Sequence, residues 1–447
     1  MKRLAIHALL LAAAAATQAA AIEPVPPPQG QPLLIRNATL HTIGGPVLVG
    51  GSLLVERGRI VAVAAAGQPL LAPSAPALIL DLSGKHLYPG FISANTTLGL
   101  SEIASVAATV DTTETGAINP NARALSSINA DSALIGVTRA GGVLAGLVVP
   151  QLPAGGIAGT SALVQLDGWD WEQMALNPEV GVHVVLPSLR LNTAMLSGAL
   201  APFADELRRF TAQRLRLIDE AFEAAAAYAL ARTADPALAA DQRWEAMRPV
   251  FVTGPNRRAV FVQANEIAQI RHALALAERH ALKLVIVGGA DAWRVADVLK
   301  ARDVPVIITS VHRLPLRRDD DVDAPFRLAA QLAAAGVRFA IARGTAGAQA
   351  STNERLLPLE AATAVAHGLA RDEAIKAITL YPAQILGVDD RLGSLAVGRL
   401  ASFIVTDGDP LETTTRIERL FVQGREVSAA NRQTQLVDRY RERPVKP

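Results

Sequence analysis

The feature that most constrains this chain is an alternation. From residue 181 to residue 344, the apolar runs GVHVVLP, AVFVQAN, KLVIVGG, VPVIITS and VRFAIARG appear in turn, with helix-like stretches at Glu266 to His280, Ala292 to Arg302 and Phe326 to Gly336 between the later ones. Strands alternating with helices of this length read as parallel β-α units. The span from Pro89 to Asp390 holds roughly 300 residues, the size of an eight-unit barrel with insertions. The expected fold class is therefore α/β, with a (β/α)8 TIM-like barrel over residues 89–390.

The two ends of the chain differ from this middle. Residues 32–88 and 391–430 carry short, leucine- and β-branched-rich runs separated by glycines, which read as antiparallel strands joined by turns. Ahead of them, Ile22 to Gln31 (IEPVPPPQGQ) is a proline-rich linker. The first 21 residues have Lys2 and Arg3, an apolar run from Leu4 to Ala16 and small residues at Ala19 to Ala21, the pattern of a signal peptide. That run is shorter than the ~20 residues of a membrane span. The expectation is an exported protein, periplasmic or secreted, with no integral membrane segment after signal cleavage.

Removing the signal takes two of the 43 basic residues and leaves 41 against 41 acidic ones, so no basic excess points to nucleic acid. There is no cysteine, which rules out disulfides, thiolate nucleophiles and cysteine-held metals. With 50% hydrophobic residues and 4% aromatic ones, the core must be built from Ala, Val, Leu and Ile. An Ala-, Arg- and Glu-rich segment at 202–249 spaces Phe203, Leu207, Phe210 and Leu217 as on a helix. It reads as a helical insertion packed on the barrel, or as a lid over its mouth. Residues 431–447 form a C-terminal tail.

Three stretches, GKHLYPGFISANTTLGL from Gly84, DEAIKAITLYPAQILG from Asp372 and VRFAIARGTAG from Val337, together resemble the amidohydrolase superfamily, in its imidazolonepropionase-like branch. GKHLYPGFISANTTLGL from Gly84 resembles the family's strand leading into P-G-F/I-D-x-H-x-H-L-G. DEAIKAITLYPAQILGVDDRLGSLAVGRLASFIVTDGDPL from Asp372 is similar to its E-A-hydrophobic-T-x-x-P-A-x-x-L-G and the glycine-punctuated strand behind it. VRFAIARGTAG from Val337 is similar to the last barrel strand with its G-T-D. The resemblance implies a small β-sandwich formed by the N- and C-terminal segments around the barrel. It also implies one or two divalent metals at the C-terminal mouth, where neutral imidazoles and carboxylates hold the ion and an aspartate takes the proton of a bound water.

Carried over residue by residue, the expected ligands are missing. The two histidines of the first strand fall on Asn95 and Thr97, and the preceding aspartate on Ser93. Amide and hydroxyl oxygens are poor zinc ligands. No lysine lies between Lys85 and Lys283 to bridge two metals, although a glutamate such as Glu179 is a substitute. The fifth- and sixth-strand histidines fall on Gln263 and Gly288, and the eighth-strand aspartate on Ala346, or on Gly344 with a shift of two.

Other chemistry-bearing residues offer little replacement. His272 and His280 lie about 12 Å apart on one helix, too far to share a metal, and read as surface residues. His312 follows the run VPVIITS and is expected near the mouth. Behind it, Asp319, Asp320, Asp321 and Asp323 suit either calcium or magnesium, or pairing with Arg317 and Arg318. The resulting expectation is a non-catalytic homologue without a cofactor, its mouth lined by Asn95, Thr97, Gln263, Gly288, His312 and Ala346. It would bind a small amide or peptide-like ligand, or act as a homo-oligomer or as the partner of an active amidohydrolase paralogue. The alternative is an active carbon-nitrogen hydrolase that holds zinc or another divalent metal through unconventional ligands.

Overall fold

The computed structural model describes residues 25–190, 201–344 and 350–443. The chain ends build one sheet in the order β16-β15-β14-β5-β1-β2-β3. Its strands are β1 (Leu33–His41), β2 (Val47–Glu56), β3 (Arg59–Ala64), β5 (His86–Pro89), β14 (Phe403–Thr406), β15 (Ile417–Val422) and β16 (Arg425–Val427). A short β4 (Leu78–Asp81) adds to β1. Most pairs are antiparallel, as the turn-rich sequence suggests, but β1 pairs parallel with both β4 and β5. The two ends meet where Tyr88 of β5 faces Ile404 of β14. Leu40, Leu53, Leu87, Phe403 and Phe421 gather into the core of this lobe, and Phe403 stacks on Phe421 at 4.6 Å.

The middle forms an eight-stranded barrel sheet in strict chain order. It runs through β6 (Phe91–Thr96), β7 (Val143–Val148), β8 (Gly156–Gln165), β9 (Ala175–Val185), β10 (Ala259–Ala264), β11 (Lys283–Gly288), β12 (Val306–Thr309) and β13 (Phe339–Ala342). Seven strands run one way and β8 runs against both neighbours. The reason lies in the connection: residues 149–155 are too few for a crossover, which needs a dozen or more. The turn closes on Gly155 and Gly156, and a side chain on Gly156 would put its Cβ 2.1 Å from the carbonyl oxygen of Ala117.

The barrel is nearly closed. β13 comes alongside β6, and at this seam the Ile92 amide donates to the carbonyl of Ile378, 2.8 Å away, rather than to β13. Ile378 lies just beyond a helix, Arg371–Ala377, and is followed by another, Leu380–Ile385. Ala383, Ile385 and Val388 from this returning segment join Ile92, Leu147 and Phe261 in the cluster that fills the barrel interior. The motif resembling the family's E-A-hydrophobic-T-x-x-P-A-x-x-L-G is thus the plug that leads the chain from barrel to sheet lobe.

Numbered along the chain, the helices that matter below are α1 (Ala201–Ala234), α2 (Gln242–Phe251), α3 (Ile267–Arg279) and α4 (Leu357–Ala366). The insertion between β9 and β10 is α1 followed by α2, packed on each other and, through α1, on β8. The tail carries a further exposed helix, Arg432–Arg441. Among the described residues no helix is long and apolar enough to cross a membrane.

Candidate functional site

The first barrel strand carries the feature that most reshapes the mouth. Ser93 pairs with Gly146 and Thr96 with Val148, so three steps along β6 match two along β7. One extra residue is bulged between them, which breaks the simple alternation that the sequence spacing implies. Ser93 and Thr96 therefore share a face, and both hydroxyls serve the same carboxyl, that of Glu354, with the Ser93 hydroxyl 2.7 Å away.

Asn95 sits on this bulge, 4% exposed, and its amide oxygen has no hydrogen-bond partner among the described residues. Thr97 is buried as well, and its hydroxyl is 2.9 Å from that of Ser351. Across the barrel, Gln263 is half-buried on the same interior face of β10 as Phe261, two residues closer to the mouth. Gly288 ends β11 with φ +94°, and a Cβ there would stand 2.4 Å from Oδ1 of Asn265. The Asn265 amide thus fills the space in which a side chain at position 288 would lie.

His312, in the loop that follows β12, packs on a helix. Its Nε2 lies 2.6 Å from the Thr363 hydroxyl and its Nδ1 3.4 Å from the Glu360 carboxylate, both on α4. The loop after β12 turns the ring onto that helix, because the buried Glu360 also accepts the His312 backbone amide at 3.0 Å. Ala346 lies outside the described residues. Glu179 is no substitute ligand at the mouth: it sits before the middle of β9, between Arg123 and Arg258. No hydrogen bond or ion pair among the described residues joins Asn95 or Thr97 to Gln263, Gly288 or His312.

Sequence reasoning passed over two groups. One is His183, which the alternation Gly181, His183, Val185 places on the interior face of β9. Its ring stacks flat on Phe261, with centroids 4.7 Å apart, and burial lowers its pKa to about 3, so it is a neutral imidazole. The other is the acid pair behind the seam. Arg343, just past β13, donates to Ser310 at 2.7 Å and pairs with Glu360 at 3.1 Å. Glu354 and Glu360 are both fully buried. Burial pushes the Glu354 carboxyl up to about 8 and the nearby Glu360 adds to this, against the Ser93 and Thr96 hydroxyls and Arg343. At neutral pH Glu354 is a neutral acid, which suits a donor and acceptor inside a seam better than a metal ligand.

The remaining candidates are structural. In the acidic loop, Asp320 pairs with Arg317, while Asp321 and Asp323 both pair with Arg327. Arg317 also clamps the buried Asp291, whose second role is to accept the Ile267 amide at the start of α3. His272 and His280 are half-buried at the surface: His272 packs against Asp219, 3.4 Å away, and His280 against Phe222 and Phe251. Among the described residues no three His, Asp or Glu side chains converge as a metal site would require.

The superfamily's divalent metal does not fit the described residues. Asn95 and Thr97 offer neutral oxygens, Thr97 already engaged, and position 288 has no room for an imidazole while Asn265 stands there. His183 supplies one nitrogen where a tetrahedral site needs three or four ligands.

A nearly closed eight-stranded barrel, plugged from below and flanked by a sheet made of both chain ends, defines an amidohydrolase-type architecture. The model of the amidohydrolase family matches residues 173–427, more than half of the chain, and the chain belongs to that family. A curated relative, the amidohydrolase tasK of Hapsidospora irregularis, is 25% identical over 451 residues; the match takes in 88% of this chain but 43% of that protein. The fold is shared with an amidohydrolase from Thermotoga maritima MSB8, at 24% identity and a TM-score of 0.75 over 89% of this chain and 99% of the other. It is shared more loosely with a zinc-bound adenosine deaminase from Xanthomonas campestris, at 18% identity and a TM-score of 0.55 over 93% and 98%.

Proposed function

We propose that this chain is an exported member of the amidohydrolase family that no longer runs metal-assisted hydrolysis, and that its barrel mouth holds a small amide or peptide-like ligand. The observation that carries this reading is Asn95. Its amide oxygen is buried at the end of the first strand with no donor among the described residues. A buried acceptor left alone costs about 1–3 kcal/mol, so it is kept where a donor arrives from outside. An amide N–H is such a donor, and the half-buried Gln263 on the opposite wall offers both a donor and an acceptor to the rest of the ligand.

Export follows from the charged and apolar pattern of the first residues, and the placement is periplasmic or secreted. Mass spectrometry of the mature N-terminus tests it, with cleavage near Ala21 expected. For the ligand, purified full-length protein is titrated with a panel of dipeptides and small amides by calorimetry, and metal content is measured on the same sample. Binding of an amide to metal-free protein, lost in Asn95→Leu, is the expected result. About one zinc per chain with metal-dependent cleavage of a carbon-nitrogen bond would establish the rival reading of an active hydrolase with unconventional ligands.

A further inference from the structure

The floor of the barrel, at the end away from the mouth, carries a charged cleft. The parallel strands begin there, and the residues within two positions of the starts of β10, β11 and β13 include Arg257, Lys283 and Arg338. The sheet register sets Lys283 beside Ala259, two residues from Arg257. Between these strand starts, the end of α3 and the plug helix Leu380–Ile385 lies a cleft of about 590 Å³. That is within the range of small-molecule sites.

Four cations line it, Arg257, Lys283, Arg302 and Arg338, against two carboxylates, Glu278 and Asp303. Arg302 pairs with Glu278 at 3.0 Å and Arg338 with Asp303 at 3.4 Å, and all four of these side chains are exposed. Two positive charges are left over. Among the described residues Arg257 and Lys283 make no ion pair. Arg257 is half-buried, and its Nε is shut off from solvent with no hydrogen-bond partner among the described residues. A guanidinium that has given up hydration without gaining a carboxylate attracts an anion more strongly than a solvated one does.

The walls of the cleft narrow the kind of anion. Leu282, Val304, Pro305 and Ile385 line it together with the cations, so part of the surface is apolar. A bare inorganic ion leaves that part wet, whereas a ligand with an apolar body covers it. A single charge would match only one of the two free cations. We propose that the floor of the barrel is a second binding site, which takes a small organic dianion: a ring or short chain bearing one phosphate or a pair of carboxylates. Gln384 and Ile385 belong to the plug, and Ile385 is also part of the barrel's interior cluster, so a ligand held here bridges the strand starts to the plug. The site lies at the opposite end from Asn95 and does not rest on what the mouth binds.

The test is calorimetric titration of the full chain, in phosphate-free buffer at low salt, with phenyl phosphate, phthalate, inorganic phosphate and the neutral benzyl alcohol. Phenyl phosphate or phthalate is expected to bind with a Kd below about 1 mM, the tighter of the two naming the charged group, and inorganic phosphate about tenfold more weakly. Benzyl alcohol is expected not to bind. Arg257→Gln with Lys283→Gln should weaken the dianion about tenfold or more at an unchanged thermal midpoint. Glu278→Gln, which frees Arg302, should tighten it about twofold, an effect that damage to the fold would not produce. Arg271→Gln, an exposed cation on α3 that does not line the cleft, and Asn95→Leu at the mouth should leave the affinity as it was. No binding of either organic dianion up to about 10 mM would overturn the proposal. So would binding that survives the double variant, weakens in Glu278→Gln, or falls as far in Arg271→Gln or Asn95→Leu.

Discussion

Oδ1 of Asn265 stands 2.4 Å from where a Cβ on Gly288 would lie, so the end of the sixth barrel strand is filled from its neighbour. Gly288 also holds φ +94°, a region that side-chain-bearing residues rarely adopt. Gly288→Ala is expected to lower stability by about 2–4 kcal/mol, read as a fall in the urea midpoint. Adding Asn265→Gly should recover the steric part and leave the backbone part, about 1 kcal/mol. Full recovery in the double variant would show that the backbone conformation is not a constraint.

The seam acid makes stability depend on pH in a defined direction. Glu354 has a folded-state pKa of about 8, above its ordinary 4.5, so the folded protein holds a proton that the unfolded chain has released. Its contribution is fully present below the unfolded value and is lost as pH rises through the folded one. Glu354→Gln, which keeps shape and hydrogen bonding without ionising, is therefore expected to match the wild type at pH 4 and exceed it at pH 9. The gap should be about 2 kcal/mol or more. Urea midpoints measured for both proteins across that range decide it; a gap that closes as pH rises would mean that Glu354 is ionised in the fold.

Behind the same seam, Glu360 is fully buried and faces Arg343 at 3.1 Å and His312 at 3.4 Å. Removing it leaves the half-buried Arg343 guanidinium without its counter-ion, so Glu360→Ala is expected to cost about 3 kcal/mol. Pairing it with Arg343→Met should return most of that loss, because no charge is then left stranded. A double variant no better than the single one would locate the cost in packing around α4 instead.

Much of this architecture is legible in the sequence, and the reasons it stops are physical. The runs from Gly181 to Gly344 betray their strands because parallel strands buried on both faces read as continuous apolar stretches. β8 is as apolar as its parallel neighbours, so its direction is set only by the shortness of residues 149–155. The bulge in β6 has no compositional mark at all: Ser93, Asn95 and Thr97 look like one face, yet Ser93 and Thr96 meet at Glu354. Glu354 and Glu360 were illegible because carboxylates are ordinarily exposed. Only tertiary contacts with Arg343, Ser93 and Thr96 explain their burial.

Restoring the family's metal site takes more than its first-strand residues. Asn95→His with Thr97→His restores the His-x-His spacing, but spacing alone does not assemble a site. The bulge that lets Ser93 and Thr96 share Glu354 disturbs the alternation that would point two imidazoles together, and Ser351 already holds the Thr97 position at 2.9 Å. Among the described residues no third ligand waits opposite: position 288 is blocked by Asn265, and the His183 ring lies flat on Phe261. Two imidazoles without a third protein ligand bind zinc weakly, because catalytic sites use three and structural sites four. The double variant is therefore expected to carry no more zinc after dialysis than the wild type, and to gain no hydrolysis of amide substrates with added zinc. Stoichiometric zinc retention in that variant, measured by plasma emission on folded protein, would mean that the mouth keeps the ligand geometry which the contacts of Asn265 and Ser351 argue it has lost.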